Sequence, residues 1–265
     1  MYKVIFIDID GTLKDSNGHI SNNTIAEIEK IKNMGIQVIL CSGRNKEDAV
    51  KYSKQCKASG YVIIFDGAEV WDYENETPLF KLCLTKETVE ELERLTKRLK
   101  LELIVSADNL QADVLNKYAV LQCRIKLFKP DRIGEIRRSL QELDNIKINE
   151  LMRKSNVITY DSNNADQIDF FISNGQANKW KAIEELCKIK GINKKDIIAI
   201  GDGSNDIEML KNAGFGIAMG NATEEVKENA DIVIPSNDKE GVAIFLKELR
   251  NRINLKNKSN EKGER

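Results

Sequence analysis

Histidine is almost missing from this chain: His19 is the only one in 265 residues, and it follows the polar stretch Ser16-Asn17-Gly18. Histidine-based acid–base catalysis is therefore excluded unless His19 itself supplies it. Net charge is also nearly missing, at −1, so no global field points to nucleic acid or an anionic membrane as the main partner. No apolar run approaches the ~18 residues that a bilayer span requires. The amino terminus enters an apolar strand directly, without the basic-then-apolar layout of a secretory leader. Five cysteines (Cys41, Cys56, Cys83, Cys123 and Cys187) are odd in number, scattered, and form no Cys-x-x-Cys. That usage fits free thiols in a reducing cytoplasm and argues against disulfides or a zinc site. What is left is a cytoplasmic globular protein, 41% hydrophobic and 31% charged, long enough for one large domain or a domain carrying an insertion.

The most informative stretch present is Val4-Ile5-Phe6-Ile7-Asp8-Ile9-Asp10-Gly11-Thr12-Leu13. A short β-branched and aromatic run ends in two carboxylates one residue apart, as a buried strand does when it leaves its acids at its carboxyl end. Ligands of open α/β sheets bind at those ends. Two aspartates so close repel each other, and a proton or a divalent cation must compensate them. A plain Asp-Gly turn is the competing reading.

The rest of the chain alternates strands and helices. Residues 21–34 have helical spacing with Ser21 or Asn22 as cap, 36–41 form a strand, 46–56 a helix and 61–65 a third strand. Alternation resumes with a helix over 179–189, a strand over 197–200, a helix from 207 to 212, strands at 215–219 and 232–234, and a helix over 242–250. This order implies a parallel sheet. The middle third breaks the rhythm: strands are expected at 80–84, 101–106, 121–128, 156–160 and 167–172, the last two paired antiparallel, with helices at 87–100 and 133–143. Residues 81–173 therefore read as an inserted α+β cap, and 1–80 with 174–265 as an α/β, Rossmann-like parallel-sheet core. Residues 109–118 suggest no element, and the basic, polar 251–265 reads as a frayed, solvated end.

Four strand-end loops share one character. They carry Asp8 and Asp10; Ser42, Gly43 and Arg44; Lys179 at a helix start; and Asp202, Asn205 and Asp206. Acids without histidine or cysteine favour a hard cation, Mg²⁺ over zinc. A hydroxyl, glycine-exposed amides and a lysine favour phosphate. A carboxylate facing a metal-bound phosphoryl group can be its nucleophile, and a second can act as acid and base.

In this order DIDGTL, CSGR, Lys179 before a helix, and GDGSND resemble the four signatures of the haloacid dehalogenase superfamily of phosphohydrolases. The carboxyl third, with GDGSNDIEMLKNAGFGIAMGNATEEVKENADIVI, is similar to the Cof-like, type IIB capped branch. The resemblance covers the two outer segments, whereas the middle matches only in size and strand–helix character. It implies that Asp8 is nucleophile and Mg²⁺ ligand, and that Asp10 is general acid/base with its backbone carbonyl reaching the metal. It further implies that Ser42, Gly43, Lys179 and Asn205 hold phosphate, that Asp202 completes the metal site, and that Asp206 supports it. Two positions depart from the family: Asp66-Gly67-Ala68 stands where Asn-Gly-Ala is common, and Trp180 follows Lys179 where glycine is frequent. Asp66 then contacts substrate, repels an acidic one, or serves the turn; Trp180 floors the cleft or packs on its helix.

Other motifs lose to plainer readings. Cys41-Ser42-Gly43-Arg44 is not a cysteine-phosphatase loop, because Glu47 stands where that loop needs arginine. The expected activity is Mg²⁺-dependent hydrolysis of a small phosphomonoester, a sugar phosphate or related metabolite, by a monomer or homodimer. A phosphomutase or phosphotransferase is the enzymatic alternative. A phospho-accepting regulatory module is the alternative of another class, against which the large insertion argues.

Overall fold

The computed structural model describes residues 2–107, 120–128, 132–154, 157–159 and 165–263. Residues 109–118, for which the sequence suggests no element, lie outside them. The chain divides into two compact units, Met1–Phe80 with Asn178–Arg265, and Lys81–Ala177.

The first unit is built on β1 (Val4–Asp8), every residue of which is buried. It pairs in parallel with β2 (Gln37–Cys41) on one side and β11 (Ile197–Gly201) on the other. The sheet extends outward through β3 (Tyr61–Ile64) beside β2, and through β12 (Phe215–Met219) and β13 (Ile232–Ile234) beyond β11, all parallel. β4 (Glu69–Asp72) turns back antiparallel against β3, and β5 (Thr77–Lys81) forms the far edge. Pro78 lies in that edge strand, the position in a sheet where a residue without an amide donor is tolerated.

Helices begin where the sequence supplies caps. Ser21 Oγ accepts from the Thr24 amide at the start of α1 (Asn22–Asn33), and Asn45 does the same for α2 (Lys46–Gln55). In the carboxyl half, β11 is followed by α6 (Ile207–Asn212) and β12 by α7 (Glu224–Glu228). The last helix, α8, runs from Gly241 to Gly263. The apolar pattern stops at Arg250 and predicts a helix over 242–250 only, so the helix is longer than expected. Residues 251–263 contain no proline, and a helix already nucleated extends one hydrogen bond per residue.

The second unit is a five-stranded sheet, ordered β6 (Glu102–Ala107), β7 (Val120–Leu127), β10 (Gln167–Asn174), β8 (Ile146–Lys154) and β9 (Val157–Thr159), every neighbouring pair antiparallel. Two helices, α3 (Lys86–Leu99) and α4 (Ile133–Gln141), share its apolar core. Leu92, Leu99 and Ile136 meet Ile125, Phe170 and Ile172 there. Two strands, β4 in the first unit and β8 here, are absent from the sequence expectations. In β8 the pattern itself is broken. Glu150 stands among its apolar positions, where it accepts two hydrogen bonds from Arg137 of α4 at 2.9 and 2.6 Å. Leu151 stands among its polar ones, so the period-2 pattern is broken twice. The antiparallel pairing expected between 156–160 and 167–172 is corrected as well: β8 lies between β9 and β10 and pairs with both.

Among the described residues, no helix is long and apolar enough to cross a membrane.

Candidate active site

Parallel order makes β1, β2, β3 and β11 end on the same edge of the sheet, and the polar loops that follow them meet there. Asp8 is the last residue of β1 and is 6% exposed. Its Oδ1 accepts from Lys179 Nζ at 2.5 Å. Lys179 opens α5 (Lys179–Lys190), capped by Asn178, and is fully buried. Its ammonium also donates to Asp206 Oδ1 at 2.6 Å. The other oxygen of Asp206 accepts the backbone amides of Asp202 and Gly203 at 3.0 and 2.9 Å. Asp202 Oδ1 accepts the Thr12 hydroxyl at 2.7 Å, and its Oδ2 accepts Asn221 Nδ2 at 3.3 Å.

Electrostatics follow from this crowding. Burial, reinforced by Asp206 and Asp202, pushes the Asp8 carboxyl well above the usual carboxylate range against the pull of Lys179. Burial alone would lower Lys179, but Asp206 and Asp8 reverse it and hold the ammonium protonated. Burial also pushes Asp202 up to about 6, with Asp206 adding repulsion and the Thr12 hydroxyl opposing.

Oxygens of Asp8, Asp202 and Asp206 lie within 4.8 Å of one another. Three carboxylates face one ammonium, so negative charge remains uncompensated, and the donor set is oxygen only. That chemistry fits a hard divalent cation such as Mg²⁺. Asp206 is the most heavily engaged of the three, bonded to the Lys179 ammonium and to two backbone amides, whereas Asp8 gives one oxygen to Lys179 and Asp202 accepts only the Thr12 hydroxyl and the longer Asn221 contact.

Phosphate-type ligands would meet the neighbouring loops. Ser42 follows β2, is 2% exposed, and its Oγ accepts the Arg44 amide at 3.2 Å. Asn205 does not stand alone: its Nδ2 donates to Asp66 Oδ1 at 2.7 Å. The same Asp66 carboxylate closes on Gly43, where an added Cβ would come within 3.0 Å of both oxygens.

Of the residues singled out in the sequence, Asp8, Lys179, Asp202 and Asp206 converge directly, and Ser42, Gly43 and Asn205 gather around Asp66. The Asp10 carboxylate does not join the acidic group. Arg44 holds it through two bonds, Nε to Oδ2 at 2.5 Å and Nη2 to Oδ1 at 2.8 Å, and Lys14 Nζ adds a third at 3.2 Å. Burial alone would raise this carboxyl, but Arg44 and Lys14 outweigh it and keep it below the usual range. Sequence reading gave Arg44, Lys14, Thr12 and Asn221 no role. Thr12, Arg44 and Asn221 lie inside the recognised motifs, but nothing in the spacing marks Lys14. His19 is exposed and Cys41 is buried at the end of β2. Trp180 packs against the core of the first unit, with the Lys194 ammonium 5.5 Å from its ring centre.

The sequence profile of haloacid dehalogenase-like hydrolases matches residues 5–246. A phosphoglycolate phosphatase of Archaeoglobus fulgidus is 30% identical over 248 residues, covering 93% of this chain and 96% of its own. The 5-amino-6-(5-phospho-D-ribitylamino)uracil phosphatase YcsE of Bacillus subtilis is 27% identical over 256 residues, covering 91% and 93%. Among solved structures, a haloacid dehalogenase-like hydrolase from Bacteroides thetaiotaomicron superposes with a TM-score of 0.78 at 24% identity, covering 94% of this chain and all of that one. With four signature loops on one sheet edge and a match spanning nearly its whole length, the chain belongs to the haloacid dehalogenase-like hydrolase family.

Proposed function

We propose that the protein hydrolyses small phosphomonoesters, sugar phosphates or related metabolites, with Mg²⁺ as cofactor and an aspartyl-phosphate on Asp8 as intermediate. The observation that carries this reading is the buried Asp8–Lys179–Asp206 chain at the end of β1. It fixes one carboxylate beside an ammonium and against the loops of Ser42 and Asn205. Lys179 orients Asp8 and neutralises charge on the phosphoryl group, while Ser42 and Gly43 hold its remaining oxygens.

Asp8 attacks phosphorus, the bond from phosphorus to the ester oxygen breaks, and Asp10 gives that oxygen a proton. Asp10 then takes a proton from water, which attacks phosphorus and releases inorganic phosphate and free Asp8. For this the Asp10 carboxyl must leave Arg44 and Lys14. Mg²⁺, held by Asp8, Asp202 and the Asp10 carbonyl with Asp206 behind them, would supply charge neutralisation for the dianion. The two curated relatives bear the names of phosphatases acting on small phosphorylated molecules, which supports the same substrate class.

The test is a phosphate-release screen over sugar phosphates, nucleotides and cofactor phosphates with Mg²⁺, using Asp8→Asn as blank. Release by the wild type and not by the variant is expected. Equal release by both would overturn the proposal.

A further inference from the structure

Three consecutive residues after β3 have left-handed backbones: Phe65 at φ 49°, Asp66 at 54° and Gly67 at 95°. Glycine adopts this region freely, aspartate tolerates it, and phenylalanine does so only at a steric cost. Such strain persists only where surrounding structure over-determines it, and it clusters at functional sites. The surroundings here are specific. The Phe65 amide donates to the Arg44 carbonyl and the Asp66 amide to the Ser42 carbonyl, both at 3.1 Å. Gly67 lies so close to the helix start that a Cβ would stand 2.1 Å from the Asn178 carbonyl oxygen. From the centre of this turn the Asp66 side chain, 7% exposed, reaches Asn205 at 2.7 Å and borders Gly43. One three-residue turn thus touches the 42–44 loop, the start of the Lys179 helix, and the 203–206 loop, segments that are far apart in sequence.

We infer that Asp66 is a positioning residue for phosphate binding, orienting the Asn205 amide through its carboxylate while the strained turn fixes the Ser42–Gly43 loop. An Asn side chain has two amide hydrogens. With one donated to Asp66, the amide plane is set and the second hydrogen is directed elsewhere. A substrate oxygen held by Ser42, Gly43 and Lys179 is its partner. This assignment rests on the phosphatase reading above and adds to it a residue that touches the reacting atoms only through another.

Asp66→Asn keeps an acceptor oxygen and tolerates left-handed backbone, whereas Asp66→Gly keeps the backbone and removes the acceptor. Each is combined with Asn205→Ala, and the readouts are kcat/KM on one substrate from the screen and competitive inhibition by inorganic phosphate. Asp66→Gly should lose kcat/KM and phosphate affinity on the order of tenfold, the worth of one charge-assisted hydrogen bond. Asp66→Asn should recover most of that loss. In the Asp66→Gly background, Asn205→Ala should cost only a few-fold more, because its amide is already misdirected. Multiplicative losses, or an Asp66→Asn protein no better than Asp66→Gly, would overturn the assignment. Near-ultraviolet circular dichroism separates a folded, impaired Asp66→Gly from an unfolded one; if it does not fold, Asp66→Asn against Asn205→Ala decides by whether their losses differ. A wild type as inactive as Asp8→Asn would refute the phosphatase reading instead.

Discussion

In the first unit, consecutive neighbours from β13 to β3 run parallel, so every carboxyl end and its loop arrive at one edge. In the second unit each strand opposes its neighbour, so carboxyl ends alternate between two edges. Polar residues reflect this. Asp8, Ser42, Asp202 and Asp206 collect at a point in the first unit. In the second they spread over strands: Asp169 of β10, fully buried, accepts from Arg124 of β7 at 2.6 Å and from Gln167 beside it. A parallel sheet concentrates chemistry drawn from distant sequence, whereas an antiparallel sheet distributes side chains across a surface.

Removing the focal residue gives the largest expected effect. Asp8→Asn should reduce phosphate release by about 10⁴-fold or more, the scale for deleting a nucleophile, while far-ultraviolet circular dichroism is unchanged. Retained turnover would place the chemistry elsewhere than at the parallel edge. Lys179→Met should follow, with a loss on the order of 10²–10³ in kcat and roughly 3–5 kcal/mol less stability in urea unfolding, because Asp8 and Asp206 lose their buried ammonium.

Phe170→Ala probes the other side of the comparison. This side chain is fully buried in the second unit's core, and its removal should cost about 3–5 kcal/mol. The Mg²⁺-dependent rise in Tm should be the same as in the wild type. A lost Mg²⁺ response would show that the two sheets do not carry separate duties.

The smallest effect is a pH dependence in EDTA. The folded-state pKa of Asp202 is raised from 3.8 to about 6. The folded chain therefore binds this proton more readily than the unfolded one. Its stabilising contribution is complete below about 3.8 and is lost as pH rises through about 6. The Tm of wild type minus that of Asp202→Asn should fall over that window, and Mg²⁺ should abolish the fall by favouring the charged carboxylate. A flat difference in EDTA would show that Asp202 titrates normally.

Legibility in the sequence followed how local each cause is. Strands β1, β2 and β11 are unbroken apolar runs bounded by turn residues, and helices α1, α2 and α5 start at Ser21, Asn45 and Asn178. Signals of that kind lie within a few residues, so they can be read directly. β8 could not be, because Glu150 is acceptable in its apolar row only once Arg137 of α4 is beside it. The acidic residues of the site were visible as motif positions. The lock on Asp10 was not, since Arg44 reaches it across 34 positions of chain and only the pairing of β1 with β2 brings them together.

What the sequence determined by itself was the inventory: which strands are buried, which loops end in acids, and that a hard cation and a phosphoryl group suit those acids better than any histidine chemistry. Tertiary structure alone decided the partners. Asp206 binds the Lys179 ammonium and the 202–203 amides, Asp10 is held aside by Arg44, and Asp66 accepts from Asn205. The physical reason is that propensity and spacing act along the chain, whereas hydrogen bonds and burial act through space. A residue's type fixes what it can do, and only its neighbours fix what it does.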